Sequence, residues 1–183
     1  MIRRPAVFLD RDGVLNESVD RNGTVASPRA LAELVVASGA AANVARLRAA
    51  GYVTVVVTNQ PDVGRGDLDA AVADAINDAV VAATGVDALY RCYHRGDEGC
   101  ACRKPSPGLL QQAADELGLD LGASWLIGDR WVDIAAAAAV GVRGLLVEHG
   151  ASWRPTSAGS PPAGLEPLFR GDLDACVTHV LGL

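Results

Sequence analysis

The sequence predicts an α/β domain: a mainly parallel sheet with helices on both faces. Three observations predict it. Short apolar, often β-branched runs alternate along the chain with stretches of helical periodicity. Those runs do not alternate apolar with polar residues, which marks strands buried on both faces. Carboxylate and amide residues follow directly after several of the runs, at the edge where an open parallel sheet collects its ligand-binding groups.

Taken in order, Ala6-Val7-Phe8-Leu9 reads as a buried strand. Ala41, Val44, Ala45 and Leu47 share one helical face, and Gly51 suits the end of that helix. Tyr52 to Val57 is a second strand. Asp67 is expected to cap a helix that carries Leu68, Val72, Ala75, Ile76, Ala79, Val80 and Ala83 at helical spacing. Ala88 to Cys92 is a third strand. Ser106 then Pro107 gives a cap and a first-turn proline, with Leu109, Leu110, Ala113, Ala114 and Leu117 on one face and Gly118 at the end. Trp125-Leu126-Ile127 is a fourth strand, Ile134 to Val140 a short alanine-rich helix, and Gly144 to Val147 a fifth strand. Residues 151–167 are rich in Pro, Gly and Ser without periodicity and are expected to form a surface loop. Asp172 opens a last helix that packs Leu173, Cys176, Val177, Val180 and Leu181 inward.

The 183 residues suffice for one well-packed domain spanning 1–183, with no repeat and no linker. A net charge of −6 argues against wrapping nucleic acid, and no basic run suggests a membrane surface. The apolar run after Met1 is far too short for a span and lacks a cleavage-site pattern, so a cytoplasmic location is expected. No leftover apolar stripe argues for a dimer, so a monomer is expected. Arginine dominates the basic residues; Lys104 is the only lysine among the 16, which suggests a position that needs a compact ammonium.

The chemistry lies just past the strand ends. Asp10 and Asp12 in Asp10-Arg11-Asp12-Gly13 can point into one pocket while Gly13 permits a tight turn. Taken alone, an Asp-rich turn that caps the next element explains them better. Asp129 would sit on a loop and Asp133 in the first turn of a helix, where the helix dipole also favours a carboxylate. Asp10, Asp12 and Asp129 at one sheet edge suit a hard cation that keeps some waters, as Mg²⁺ does. Thr58 and Lys104 supply a hydroxyl and an ammonium able to hold phosphoryl oxygens, although strand-end bonding and a solvated charge are the ordinary fates of such residues. Cys92, His94, Cys100 and Cys102 offer three thiolates and an imidazole within eleven residues, a standard tetrahedral zinc set. With all four positions filled by protein, that zinc would be structural. Cys176, on an apolar helix face, reads as a core residue.

The ordered set decides between these alternatives: Phe8-Leu9-Asp10-Arg11-Asp12-Gly13, Val57-Thr58-Asn59-Gln60, Arg103-Lys104-Pro105, and Ile127-Gly128-Asp129-Arg130 with Asp133. Over residues 5–148 the chain resembles the haloacid dehalogenase-like (HAD) phosphohydrolases. The resemblance implies a Rossmannoid three-layer sandwich, with Asp10 as nucleophile forming an aspartyl-phosphate and Asp12 as general acid and base. It implies Mg²⁺ held by Asp10, the Asp12 backbone carbonyl and Asp129, with Asp133 orienting the metal shell. Together with Asn16 and the cysteine loop 92–102, the motifs are similar to the branch of D,D-heptose 1,7-bisphosphate and histidinol-phosphate phosphatases. That likeness implies substrate recognition by Arg103, phosphoryl stabilisation by Thr58 and Lys104, and substrate contacts from Asn59, Gln60 and the loop Ser18 to Arg21. The gaps between motifs leave no room for a cap domain, so loops 16–28 and 92–104 must select the substrate.

The expected substrate is a small phosphorylated sugar, a heptose bisphosphate losing its 7-phosphate, because Arg103, Arg130, Arg21 and Arg65 are available for a second phosphate. The runner-up is histidinol phosphate. A non-catalytic, zinc-stabilised binding module is a third reading, opposed by the acidic charge and the intact Asp10, Asp12 and Asp129.

Overall fold

The computed structural model describes residues 3–150 and 152–183. Its central sheet contains β1 (Ala6–Leu9), β4 (Val53–Asn59), β5 (Ala88–Cys92), β6 (Trp125–Gly128), β7 (Arg143–Val147) and β8 (Phe169–Gly171). The six strands run parallel in the order β5-β4-β1-β6-β7-β8. β2 (Val19–Arg21) and β3 (Thr24–Ala26) form a separate antiparallel hairpin. The helices are α1 (Ala40–Ala49), α2 (Pro61–Arg65), α3 (Ala70–Thr84), α4 (Gly108–Leu117), α5 (Trp131–Ala138) and α6 (Leu173–Leu181). No helix among the described residues is long and apolar enough to cross a membrane.

The two-sided burial expected of the strands is realised in β1. Val7 and Leu9 join a core with Val44 and Leu47 of α1, Val80 of α3 and Val177 of α6. Ala6 and Phe8 face the opposite core with Leu109, Leu110 and Ala113 of α4 and Ala136 of α5. Full burial of side chains such as Phe8 and Leu9 stabilises the fold by about 1.5–3 kcal/mol each. From β1 the chain moves to β4 on one side, and from β6, the other neighbour of β1, it moves to β7 on the opposite side. That is the switch point at which such a sheet opens a crevice, and Asp10 is the first residue beyond β1.

Several local expectations shift. β4 runs on to Asn59, so Thr58 and Asn59 belong to the strand and pair with Arg91 and Cys92. Asp69, not Asp67, caps α3 by accepting the Ala71 N–H at 2.7 Å. Asp67 is taken up by the unforeseen α2, bonding its backbone N–H to the Asp62 carbonyl and its carboxylate to Arg29 and Arg65. α4 starts one residue later than expected, with Pro107 as its cap residue and no side-chain cap from Ser106. α5 starts earlier, at Trp131. The segment expected as loop 16–28 holds the hairpin, turned at Asn22-Gly23 with φ 55° and 78°, as a two-residue type I′ connection requires. Only this hairpin and a 3₁₀ turn (Leu31–Glu33) lie between β1 and α1, and no cap domain is present there.

Candidate active site

Asp10, Lys104, Asp129 and Asp133 meet at the ends of β1 and β6. Lys104 Nζ is buried; it lies 3.0 Å from Asp10 Oδ1 and 2.6 Å from Asp133 Oδ1, and donates to the Val57 carbonyl at 2.7 Å. The ammonium is thereby fixed by a strand carbonyl and two carboxylates. The Asn59 side chain clamps the backbone beside it, accepting the Lys104 N–H at 3.1 Å and donating to the Lys104 carbonyl at 3.0 Å. Asp133 reaches the site from the first turn of α5, where its other oxygen accepts the Arg130 N–H at 3.0 Å. This close seating demands glycine at 128, since a Cβ there would stand 2.3 Å from Asp133 Cβ. Gly13 is required likewise: at φ 81° its Cβ would meet Asp129 Oδ2 at 2.6 Å.

Three carboxylates crowd this site, and burial dominates their electrostatics. Burial pushes Asp10 up to about 6; Lys104 opposes the rise, and the Asp133 and Asp12 carboxylates add to it. Burial also raises Asp133 and Asp129, against Lys104 in the first case and the His149 hydrogen bond in the second. Burial alone would lower Lys104, but Asp10 and Asp133 outweigh it and hold its pKa above the ordinary value. One oxygen from each of Asp10, Asp129 and Asp133 lies within 4.8 Å of the others. Hard oxygen donors so close, with incomplete neutralisation, fit Mg²⁺. Asp133 thus stands in the cluster itself, while the Asp12 carboxylate points elsewhere.

Asp12 is caged by donors. Arg11 Nη2 is 3.0 Å from both Asp12 oxygens, Asn16 Nδ2 donates at 2.9 Å, Ser27 Oγ at 2.8 Å and Gln60 Nε2 at 2.7 Å. Burial pushes Asp12 upward, but Arg11 and these hydrogen bonds outweigh it, leaving the carboxyl below its ordinary value. Gln60, expected at the substrate, is fully buried and holds Asp12 and the Thr58 hydroxyl instead. Thr58 is also buried, with its Oγ1 accepting from Gln60 at 3.0 Å and its own proton free to donate.

Above these groups opens a cavity of about 550 Å³. Ser18, Arg21, Asn59, Arg103 and Arg130, the residues expected to contact substrate, line it. Arg29, Asp62 and the turn Pro155 to Ala158 line it as well, and sequence reasoning missed them. Arg21 pairs with Glu33, and Arg29 and Arg65 with Asp62 and Asp67. Arg103 pairs with no carboxylate among the described residues; it donates to the His94 carbonyl at 3.4 Å and Ser157 Oγ at 3.3 Å. His149, also missed, places Nε2 2.8 Å from Asp129 Oδ2. It lies two residues past the end of β7, so its position beyond a strand end was the available signal.

Behind Arg103, the side chains of Cys92, His94, Cys100 and Cys102 converge, each offering a ligand atom within 4.8 Å of the rest. Cys92 Sγ lies 3.7 Å from Cys100 Sγ, 3.1 Å from Cys102 Sγ and 3.5 Å from His94 Nδ1, and Cys102 Sγ lies 3.5 Å from Cys100 Sγ and 3.2 Å from His94 Nδ1. A tetrahedron with Zn–S bonds of about 2.3 Å has edges of about 3.8 Å; three of these separations lie near it and two are shorter, and it is the Cys₃His chemistry of the converging set that fits zinc.

Residues 101–165 match the family model described as HAD-hydrolase-like. The D-glycero-β-D-manno-heptose-1,7-bisphosphate 7-phosphatase of Bordetella bronchiseptica is 37% identical over 163 residues, covering 86% of this chain and 88% of that one. The enzyme of the same name from Pseudomonas aeruginosa is 36% identical over 184 residues, covering 97% and 98%. The crystal structure of D,D-heptose 1,7-bisphosphate phosphatase from B. bronchiseptica, complexed with magnesium and phosphate, superimposes with a TM-score of 0.79 at 34% identity, covering 97% of this chain and 98% of that one.

Proposed function

The chain belongs to the D-glycero-β-D-manno-heptose-1,7-bisphosphate 7-phosphatase family of HAD-like hydrolases, and we propose that it removes the 7-phosphate of that sugar bisphosphate through an aspartyl-phosphate on Asp10. The observation that carries this reading is the buried Lys104 ammonium between Asp10 and Asp133 on the floor of an arginine-lined cavity.

Asp10 attacks phosphorus in line while Lys104 and the free Thr58 proton hold the phosphoryl oxygens. Asp12 donates a proton to the departing sugar alkoxide, then accepts one from the water that opens the acyl phosphate. The donors around Asp12 hold its carboxyl at the cavity wall and keep it ionised in the resting protein; an approaching phosphate anion raises its proton affinity, which lets it carry the proton to the leaving oxygen. Asp10, Asp129 and the Asp12 carbonyl would hold Mg²⁺, with Asp133 steadying them; the ion supplies charge neutralisation for the approaching phosphate. Cys92, His94, Cys100 and Cys102 would hold a structural zinc that fixes the segment leading into Arg103 and Lys104. Ser18, Arg21, Asn59 and Arg130 complete the substrate wall, and Gln60 acts from behind it. Arg103, without a carboxylate partner among the described residues, suits the second phosphate, which favours the bisphosphate over histidinol phosphate. The chain acts as one catalytic unit, a monomer in the cytoplasm.

Acid-quenching during turnover is expected to leave one phosphoryl group on the peptide containing Asp10, and Asp10→Asn is expected to abolish both adduct and turnover. An Asp10→Asn protein with wild-type turnover sinks the covalent mechanism.

A further inference from the structure

Asn77 lies on α3, a helix that contributes none of the active-site groups described above, yet it is buried at 2% exposure and bonds to the active-site loop. Its Oδ1 accepts from Arg11 Nη1 at 2.6 Å. Arg11 is itself buried at 0% and directs Nε and Nη2 to Asp12. A guanidinium removed from water needs acceptors for its remaining N–H groups, and Asn77 supplies one on the edge away from Asp12.

The orientation of the Asn77 amide follows from the polarity of its neighbours. Asp74 is an acceptor, and the Tyr93 hydroxyl donates to its Oδ1 at 2.6 Å. The Tyr93 oxygen is then left to accept, which it does from Asn77 Nδ2 at 3.4 Å. That turns Oδ1 towards the guanidinium, which can only donate. Arg91 fixes the outer end by pairing with Asp74 at 2.7 Å and lying over the Tyr93 ring at 5.2 Å. The chain of bonds therefore runs in one sense from a donor-only end at Arg11 to an acceptor-only end at Asp74. Tyr93 also stands between Cys92 and His94 of the cysteine loop.

We propose that Asn77 is a positioning residue for proton transfer: through Arg11 it holds the Asp12 carboxyl at the leaving-group oxygen, with Tyr93 setting the direction of its amide. This role rests on Asp12 being the general acid. Misplacing a reacting group by about 1 Å costs about 100-fold in rate, and a general acid contributes about 100- to 10,000-fold where the leaving group needs its proton. A sugar alkoxide needs that proton; a nitrophenolate leaves without it.

The test compares turnover of the heptose bisphosphate with that of p-nitrophenyl phosphate. For Asn77→Leu, kcat on the bisphosphate is expected to fall about 10- to 100-fold and on p-nitrophenyl phosphate by less than about 3-fold, with KM little changed. Asn77→Asp keeps an acceptor facing Arg11 and is expected to restore the wild-type ratio of the two rates. Tyr93→Phe is expected to shift the ratio in the same direction as Asn77→Leu, by less. Should Asn77→Leu fail to melt cooperatively, Asn77→Ser, too short to reach Arg11, takes its place with the same expectation. Equal losses on both substrates, or no loss, overturn the proposal. Asp12→Asn separates the two levels: if it shows the leaving-group bias and the Asn77 variants do not, the inference about Asn77 fails alone. If Asp12→Asn shows no bias, the assignment of Asp12 fails first.

Discussion

Asp10 must be ionised to attack phosphorus, yet the protein without metal pushes its pKa up to about 6, chiefly by burial. A carboxyl whose folded pKa is raised contributes stability that is fully present below its unfolded value and lost as pH rises through its folded value. For Asp10 the window is between 3.8 and about 6. Melting curves in magnesium-free buffer are therefore expected to show wild type losing stability relative to Asp10→Asn across that window, with Mg²⁺ removing the difference at pH 7. A constant offset at every pH counts against the raised Asp10. Asp12 has the opposite sign: its lowered pKa gives stability above 3.8 that is lost only as pH falls further, so it does not mask the effect. Packing makes its own demand at Gly128, where a Cβ would overlap Asp133. Gly128→Ala is expected to cost about 1–3 kcal/mol in denaturant unfolding and to lower kcat, because Asp133 must retreat from Lys104. Asp10, Asp12 and Asp129 were legible because they follow β1 and β6 directly, and Lys104 because it is the chain's single lysine, set in Arg103-Lys104-Pro105. The burial of Arg11 was not legible, since the residue between two aspartates in a turn has no periodicity to give its direction. Asn77 had a signal: it falls between Ile76 and Val80 on the apolar face of α3, where a polar side chain needs a partner.

Strands and helices with long apolar patterns were legible because both faces of the sheet are covered, which leaves unbroken runs such as Ala6 to Leu9 and Val55 to Val57. The hairpin strands, β8 and α2 were not. The hairpin strands and β8 are too short to show a period, although Asn22-Gly23 carried the turn signal. Near α3, two aspartates competed for one cap, and the ion pairs of Asp67 with Arg29 and Arg65 left that place to Asp69. Asp69→Ala is accordingly expected to lower unfolding free energy by about 1 kcal/mol while kcat stays unchanged, whereas a loss of kcat would tie this cap to the site. The cysteine loop works at the same scale. Removing zinc with a chelator, then restoring Mg²⁺, is expected to lower the melting temperature and raise KM by freeing Arg103. Unchanged KM in verified zinc-free protein would separate the loop from substrate binding.

At the scale of the molecule, the six-stranded parallel order brings residues from 10 to 133 to one sheet edge and leaves a cavity of about 550 Å³ above them. Its walls come from segments far apart in sequence: the hairpin, α2, the cysteine loop and the turn at 155–158. The existence of the site was legible from motif order, but this last turn was not, because nothing local in a Pro-, Gly- and Ser-rich segment says which loop it will face. In those walls Arg21, Arg29 and Arg65 are held by Glu33, Asp62 and Asp67, whereas Arg103 pairs with no carboxylate among the described residues. The most direct measurement is steady-state kcat/KM on D-glycero-D-manno-heptose 1,7-bisphosphate and on histidinol phosphate, with phosphorus NMR identifying the ester cleaved. The bisphosphate is expected to be preferred by at least about 10-fold, a difference of about 1.4 kcal/mol in transition-state binding, with release of the 7-phosphate and retention of the 1-phosphate. Faster hydrolysis of histidinol phosphate, or loss of the 1-phosphate first, would contradict the account.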